Sequence, residues 1–288
     1  MKKITFAVLL TIHPLCFAQL AFDGGFETGN HQQWSDLNWN LNRPESEQFQ
    51  IVTTPVRQGL FAAKTIVHDG DEFLDTGGER CDLERPANFN EHEGDEYWYA
   101  FSTQFDSNWQ NPGPVPGDWL LIADWHASAN YPDICQPLQL ETDGDGKLKA
   151  TVLSGNVEGY NCFNGSGTAF YHEQVLLNNV SPGLWHDFII HIKWTSSNNG
   201  LIEIWHLLEG EKKFSKLLEL NNIPTLQFKT NPANPDSPYF ILAHYRDSLN
   251  THTSVLYHDG FRQATTAAAL ADGKLYNLAD YIFHSGFE

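Results

Sequence analysis

The stretch WHDFIIHIKWTSSNNGLIEIWHLL, residues 185–208, decides the fold. Phe188, Ile190, Ile192 and Trp194 alternate with Ile189, His191 and Lys193. A period of two sends successive side chains to opposite faces of a strand, so each set belongs to one face. Asn198, Asn199 and Gly200 tolerate the positive φ of a reversal, and residues 201–207 return as the partner strand. Working outward, Tyr97, Tyr99, Phe101, Thr103 and Phe105 share one face, with Trp98, Ala100, Ser102 and Gln104 on the other. Asp143-Gly144-Asp145-Gly146 reads as a hairpin turn between residues 138–142 and 147–153, and residues 239–245 and 254–262 complete the clear strands. Helical periodicity is nearly absent before residue 264. The pattern predicts an all-β, antiparallel β-sandwich.

Nine Trp, ten Tyr and nineteen Phe against one Met suit sheet faces. Lys2 and Lys3, an apolar run from Ile4 to Ile12 broken only by threonines, and Cys16-Phe17-Ala18 before Gln19 have the layout of a secretory signal peptide. Residues 1–18 are read as that leader, which is too short for a membrane span, so the expectation is a bacterial protein that is secreted or periplasmic. Residues 19–263 form one domain. A tail follows over 264–288, where the composition turns to Ala, Leu and Asp. The formal charge of −19 becomes −21 without Lys2 and Lys3, a field that excludes nucleic acid and anionic membranes as partners. The chain is read as a monomer. Beyond Cys16, three cysteines remain, which in an oxidising compartment implies one bridge and one thiol. Cys135 and Cys162 flank a hairpin-like segment and are the expected pair, and Cys81 is expected in the core.

No G-x-S-x-G elbow, H-E-x-x-H helix or phosphate-cradling glycine loop is present. Sandwich glycoside hydrolases place carboxylates as E-x-D-x-x-E on one strand. Here Asp82 and Glu84 share a face and Glu79 takes the other, so hydrolysis through Asp82 and Glu84, or through Glu141 and a distant carboxylate, is an alternative. A lectin-like sandwich without catalysis is a second alternative. A different set fits better: GERCDL (78–83), EYWYAFSTQF (96–105), WLLIADWH (119–126), WHDFIIHIKW (185–194), LIEIW (201–205), AHYR (243–246) and VLYHDG (255–260), in that order. Over residues 22–262 this set resembles the polysaccharide lyases of the heparin-lyase and glucuronan-lyase type. The resemblance implies a concanavalin-like β-jelly roll that cleaves an acidic, uronic-acid-containing polysaccharide by β-elimination, leaving 4,5-unsaturated uronate ends and needing no cofactor.

The C5 proton of a uronate is weakly acidic, so its carboxylate must be neutralised while a base takes the proton and an acid protonates the departing O4. By resemblance, Arg80 is the neutraliser, His126 the base and Tyr245 the acid, or both acid and base in a syn elimination. Asp124 stands where relatives often carry an amide. On one face with His126, it is expected to favour the imidazolium, raise the histidine's pKa and repel a substrate carboxylate. Gln104 is the candidate substitute amide. His244 and Arg246 complete a substrate-binding cluster, although alternation sets them opposite Tyr245, and Tyr257 is held in reserve as the acid. Asp23, Glu27 and Asn30 near the first strand, with Asp259 on the last, suggest a structural calcium site, Glu27 and Asp259 foremost.

Overall fold

The computed structural model describes residues 20–73, 78–113, 118–128, 135–160 and 168–270. Among these residues the chain forms two sheets that share one core. The eight-stranded sheet runs, from one edge, Ser215–Ile223, Gly200–Leu208, Trp185–Lys193, Glu96–Phe105, Ser254–Ala264, Ala62–Val67 and Phe49–Val52, and Leu20–Asp23 also pairs with Ser254–Ala264. The nine-stranded sheet runs Phe170–Leu177, Leu148–Asn156, Leu138–Asp143, Trp119–His126, Tyr239–Asp247, Asp82–Glu84 and Asp36–Asn38. Gly78–Arg80 also pairs with Tyr239–Asp247, and the short Gln227–Phe228 pairs with Leu148–Asn156 as the one parallel contact among the described strands. This is the all-β jelly roll that the alternation and the resemblance predicted.

The two faces of each strand separate as the sequence pattern requires. Tyr99, Phe101, Phe105, Phe188, Ile190 and Ile192 enter the shared core, where they meet Trp125 and Phe240 of the other sheet. Each fully buried large apolar side chain of this kind contributes about 1.5–3 kcal/mol. Trp98, Ala100, Ile189 and Trp205 form a second cluster on the reverse face of the eight-stranded sheet. The helix Ala267–Leu270 packs onto that cluster, and the Leu270 carbonyl accepts from Arg262 Nη1 at 3.1 Å. The segment after residue 264 thus begins by covering a sheet face rather than leaving the sandwich. The 143–146 turn is closed by Gly146 N–H donating to the Asp143 carbonyl at 2.8 Å, with Gly146 at φ 80°.

Cys81 is a free thiol, wholly buried as expected, with Sγ 3.3 Å from the Gln48 carbonyl. Cys162 lies outside the described residues, as do the proposed leader and residues 271–288. No helix among the described residues is long and apolar enough to cross a membrane.

Candidate active site

Along Tyr239–Asp247, Phe240 and Leu242 enter the shared core, whereas Tyr239, Ile241, Ala243 and Tyr245 cluster with Trp119 and Leu121 on the outer face of the nine-stranded sheet. A bulge between Leu121 and Ala123 leaves Ile122 and Ala123 both in the core. That extra residue resets the parity of the strand, so Asp124 and His126 emerge on the same outer face as Trp119 and Leu121. Cys81 and Leu83 point inward, which turns Arg80, Asp82 and Glu84 outward beside them. Register then sets neighbours: Arg80 pairs with Tyr245, Asp124 with Ile241, and His126 with Tyr239.

Arg80 stacks its guanidinium on the Tyr245 ring, 3.6 Å from the centroid. The tyrosine ring also meets Trp119 edge-on, ring centroids 4.7 Å apart at 73°. The charge of Arg80 is felt by Asp82, Asp124, His126, Tyr239 and Tyr245 alike, so the guanidinium is common to the whole group. Burial raises the Tyr245 phenol above its ordinary value against the pull of Arg80, which keeps it a proton donor at neutral pH. Asp82 accepts the His244 backbone N–H at 2.8 Å and lies 3.8 Å from Arg80; burial raises its pKa to about 6, with Arg80 opposing.

His126 Nδ1 lies 2.8 Å from the Ala127 carbonyl, which only accepts. The proton is therefore on Nδ1, and Nε2 carries a free lone pair. Tyr239 stacks on the imidazole at 5.1 Å and 27°. Burial pushes the His126 pKa down, opposed by the Ala127 hydrogen bond and assisted by Arg80. This corrects the expectation that Asp124 would raise it. Asp124 is 2 % exposed, and burial followed by the neighbouring Asp82 raises its pKa well above the usual carboxylate range. It favours the protonated form and has little negative charge to lend to His126 or to turn against a substrate.

The polysaccharide lyase family model matches residues 26–262. The chain belongs to the polysaccharide lyase family. It is a carbon–oxygen lyase acting on polysaccharides. Similar solved structures include the endo-β-1,4-glucuronan lyase of the fungus Trichoderma reesei, at 19 % identity and TM-score 0.64, covering 88 % of this chain and 98 % of that one. The GH131 β-glucanase catalytic domain of Podospora anserina aligns at 14 % identity and TM-score 0.52, over 85 % and 95 %. The PL-14 alginate lyase of Aplysia kurodai aligns at 12 % and 0.50, over 86 % and 97 %. At these identities the structures speak for the fold, which carries both eliminating and hydrolysing enzymes. No curated protein matches the chain in sequence.

Several candidate residues of the lyase lie elsewhere. Gln104 and Tyr257 pair with each other in the eight-stranded sheet. Gln104 donates to the Gly183 carbonyl at 3.1 Å, and Tyr257 sits near Lys64. Neither reaches Arg80, because local alternation does not say which sheet a strand joins. His244 points into the sandwich, bonded to Thr65 Oγ1 at 2.9 Å and Ser254 Oγ at 2.8 Å. Arg246 points the same way and pairs with Glu79 at 2.7 Å. Breaking such a buried pair costs about 3–5 kcal/mol, which assigns Arg246 to the scaffold rather than to the substrate. Tyr239 is the site residue that the sequence reading missed. Its signal is positional: it opens the strand whose partner ends on His126.

The calcium candidates divide similarly. Asp23 accepts the Gly25 N–H and lies 3.9 Å from Arg262, and Asn30 bonds within its own loop. Glu27 accepts the N–H groups of Leu60 and Phe61, and Asp259 Oδ2 those of Arg57 and Gln58. Asp259 Oδ1 and Gln58 Oε1 are buried without a hydrogen-bond partner. Burial raises the Asp259 pKa to about 7, and Glu27 adds to it. Among the described residues no three His, Cys, Asp or Glu side chains gather as a metal site. The orphaned oxygens of Asp259 and Gln58, with the Glu27 carboxylate acting on Asp259, nonetheless form an oxygen-rich setting that suits a hard cation.

Proposed function

We propose that the lyase cleaves a uronic-acid-containing polysaccharide by β-elimination on the outer face of the nine-stranded sheet. The observation that carries this reading is the Nε2 lone pair of His126, fixed by the Ala127 carbonyl, on one face with the Arg80–Tyr245 stack. Arg80 takes the substrate carboxylate, with Asp124, whose ionisation burial disfavours, on the same face. His126 Nε2 removes the C5 proton. The electron pair left on C5 forms the C4=C5 double bond as the C4–O4 bond breaks, and the Tyr245 phenol protonates the departing oxygen. Tyr239 orients the imidazole. A neutral histidine and a protonated phenol coexist through the neutral pH range, because burial lowers one pKa and raises the other.

The test is the rise in ultraviolet absorbance from a conjugated 4,5-unsaturated uronate on a panel of glucuronan, alginate, heparin and pectate. One or more should respond, and His126→Ala and Tyr245→Phe should abolish the rise with the fold intact. New reducing ends without the chromophore would move the chemistry to hydrolysis.

The leader reading of residues 1–18 belongs to this proposal, since such a polymer is met outside the cytoplasm. So does a structural calcium that Glu27, Asp259 and Gln58 would hold, where it would neutralise charge on the eight-stranded sheet away from the reaction.

A further inference from the structure

Arg80, Tyr245, Leu121, Glu141 and Lys149 are successive cross-strand partners, one row across the nine-stranded sheet. With strands about 4.8 Å apart, Glu141 lies roughly 10 Å along the row from Tyr245, close enough for one glycan chain to lie over both. At that end of the row opens a cavity of about 280 Å³. Trp119, the residue packed against Tyr245, lines it and offers an aromatic surface of the kind on which a pyranose ring stacks.

Its charges are lopsided. Asp118, Glu141, Asp143 and Asp145 line it against Lys147 and Lys149. Both lysines are already committed, to Asp145 at 2.8 Å and Asp143 at 3.0 Å. Asp118 is 3 % exposed, and its Oδ2 has no hydrogen-bond partner among the described residues. A uronate carboxylate entering here would shed water to meet an excess of negative charge, with both lysines of the described lining already ion-paired. An uncharged sugar instead brings hydroxyl donors to acceptor oxygens.

We propose that this cavity is a subsite for a neutral sugar unit, so that the polymer cleaved alternates uronic acid with uncharged residues. The inference rests on the elimination reading above. Its test compares glucuronan with hyaluronan, in which glucuronic acid alternates with N-acetylglucosamine, in the wild type, Trp119→Ala and the double variant Glu141→Gln/Asp143→Asn. Asn at 143 keeps the Oδ1 acceptor used by the Asp145 and Lys147 amides while releasing Lys149. Expected are a KM about tenfold lower for hyaluronan than for glucuronan and a rise in both on Trp119→Ala. The double variant should lower the glucuronan KM about tenfold and leave that for hyaluronan within about twofold. An unchanged ratio of the two KM values in the double variant overturns the subsite while leaving elimination standing. If neither polymer yields unsaturated product, elimination from these two polymers fails, and the subsite is then judged by calorimetry of hyaluronan and glucuronan tetrasaccharides. Tighter binding of the hyaluronan tetrasaccharide, lost on Trp119→Ala, supports it; equal affinities overturn it.

Discussion

Replacing Asp124 by Asn exchanges a carboxyl for an amide of the same shape, and its effect depends on which form the carboxyl takes. Asp124 is 2 % exposed, with Asp82 among the charges that disfavour its ionisation. If it is protonated, Asp124→Asn removes no charge from the site, and kcat/KM at neutral pH stays within about threefold of wild type. An ionised Asp124 would oppose the substrate carboxylate. At roughly 5 Å and an effective dielectric constant of about 20, that repulsion is about 3 kcal/mol, a factor of roughly two hundred in rate. Initial rates of unsaturated-product formation across pH measure the difference, and thermal unfolding gives a second reading. Because the folded pKa lies above the ordinary 3.8, the stability that Asp124 contributes falls as pH rises from that value through the folded one. Asparagine carries no such group, so the variant should unfold at a higher temperature than wild type at neutral pH and lose that margin in acid. A hundredfold gain in kcat/KM, with no stability gain, would refute a protonated Asp124.

Arg80→Ala should lower kcat/KM by about 10²–10³, the usual effect of removing one stabiliser of developing negative charge, with unchanged circular dichroism. Arg80→Lys should recover little, because an ammonium does not reproduce the planar stack on Tyr245. Inside the sandwich, burial lowers the pKa of His186 to about 3, of His206 to about 4 and of His258 to about 3, all from 6.5. The unfolded chain therefore binds protons first, so the stability these histidines contribute is full above pH 6.5 and is lost toward pH 3. In urea titrations His258→Gln should recover roughly 3 kcal/mol of the loss seen near pH 4. Chelator should lower the melting temperature of the wild type and calcium restore it. Asp259→Asn should melt the same with and without calcium.

The faces of the strands were legible because a period of two is a local property. The alternation through Phe188–Trp194 and Tyr97–Phe105 gave the core, and it set His244 and Arg246 opposite Tyr245. Placing Asp124 with His126 also followed from parity. Which sheet received Gln104 and Tyr257 did not, since strand order depends on long-range pairing that no local pattern encodes. Nor did the direction in which the pKa values of Asp124 and His126 move, because burial by distant segments outweighs the charge two residues away. Tyr239 and Gln58 escaped for the same reason: each matters through a partner far off in the chain.

The most direct test of elimination at the Arg80–His126–Tyr245 face is mass spectrometry of products formed in water enriched in heavy oxygen. Elimination predicts fragments with an unsaturated end, no solvent oxygen at the new termini, and no product from His126→Ala. One heavy oxygen per cleavage, in the new reducing end and without an unsaturated partner end, or undiminished cleavage by the variant, would contradict it.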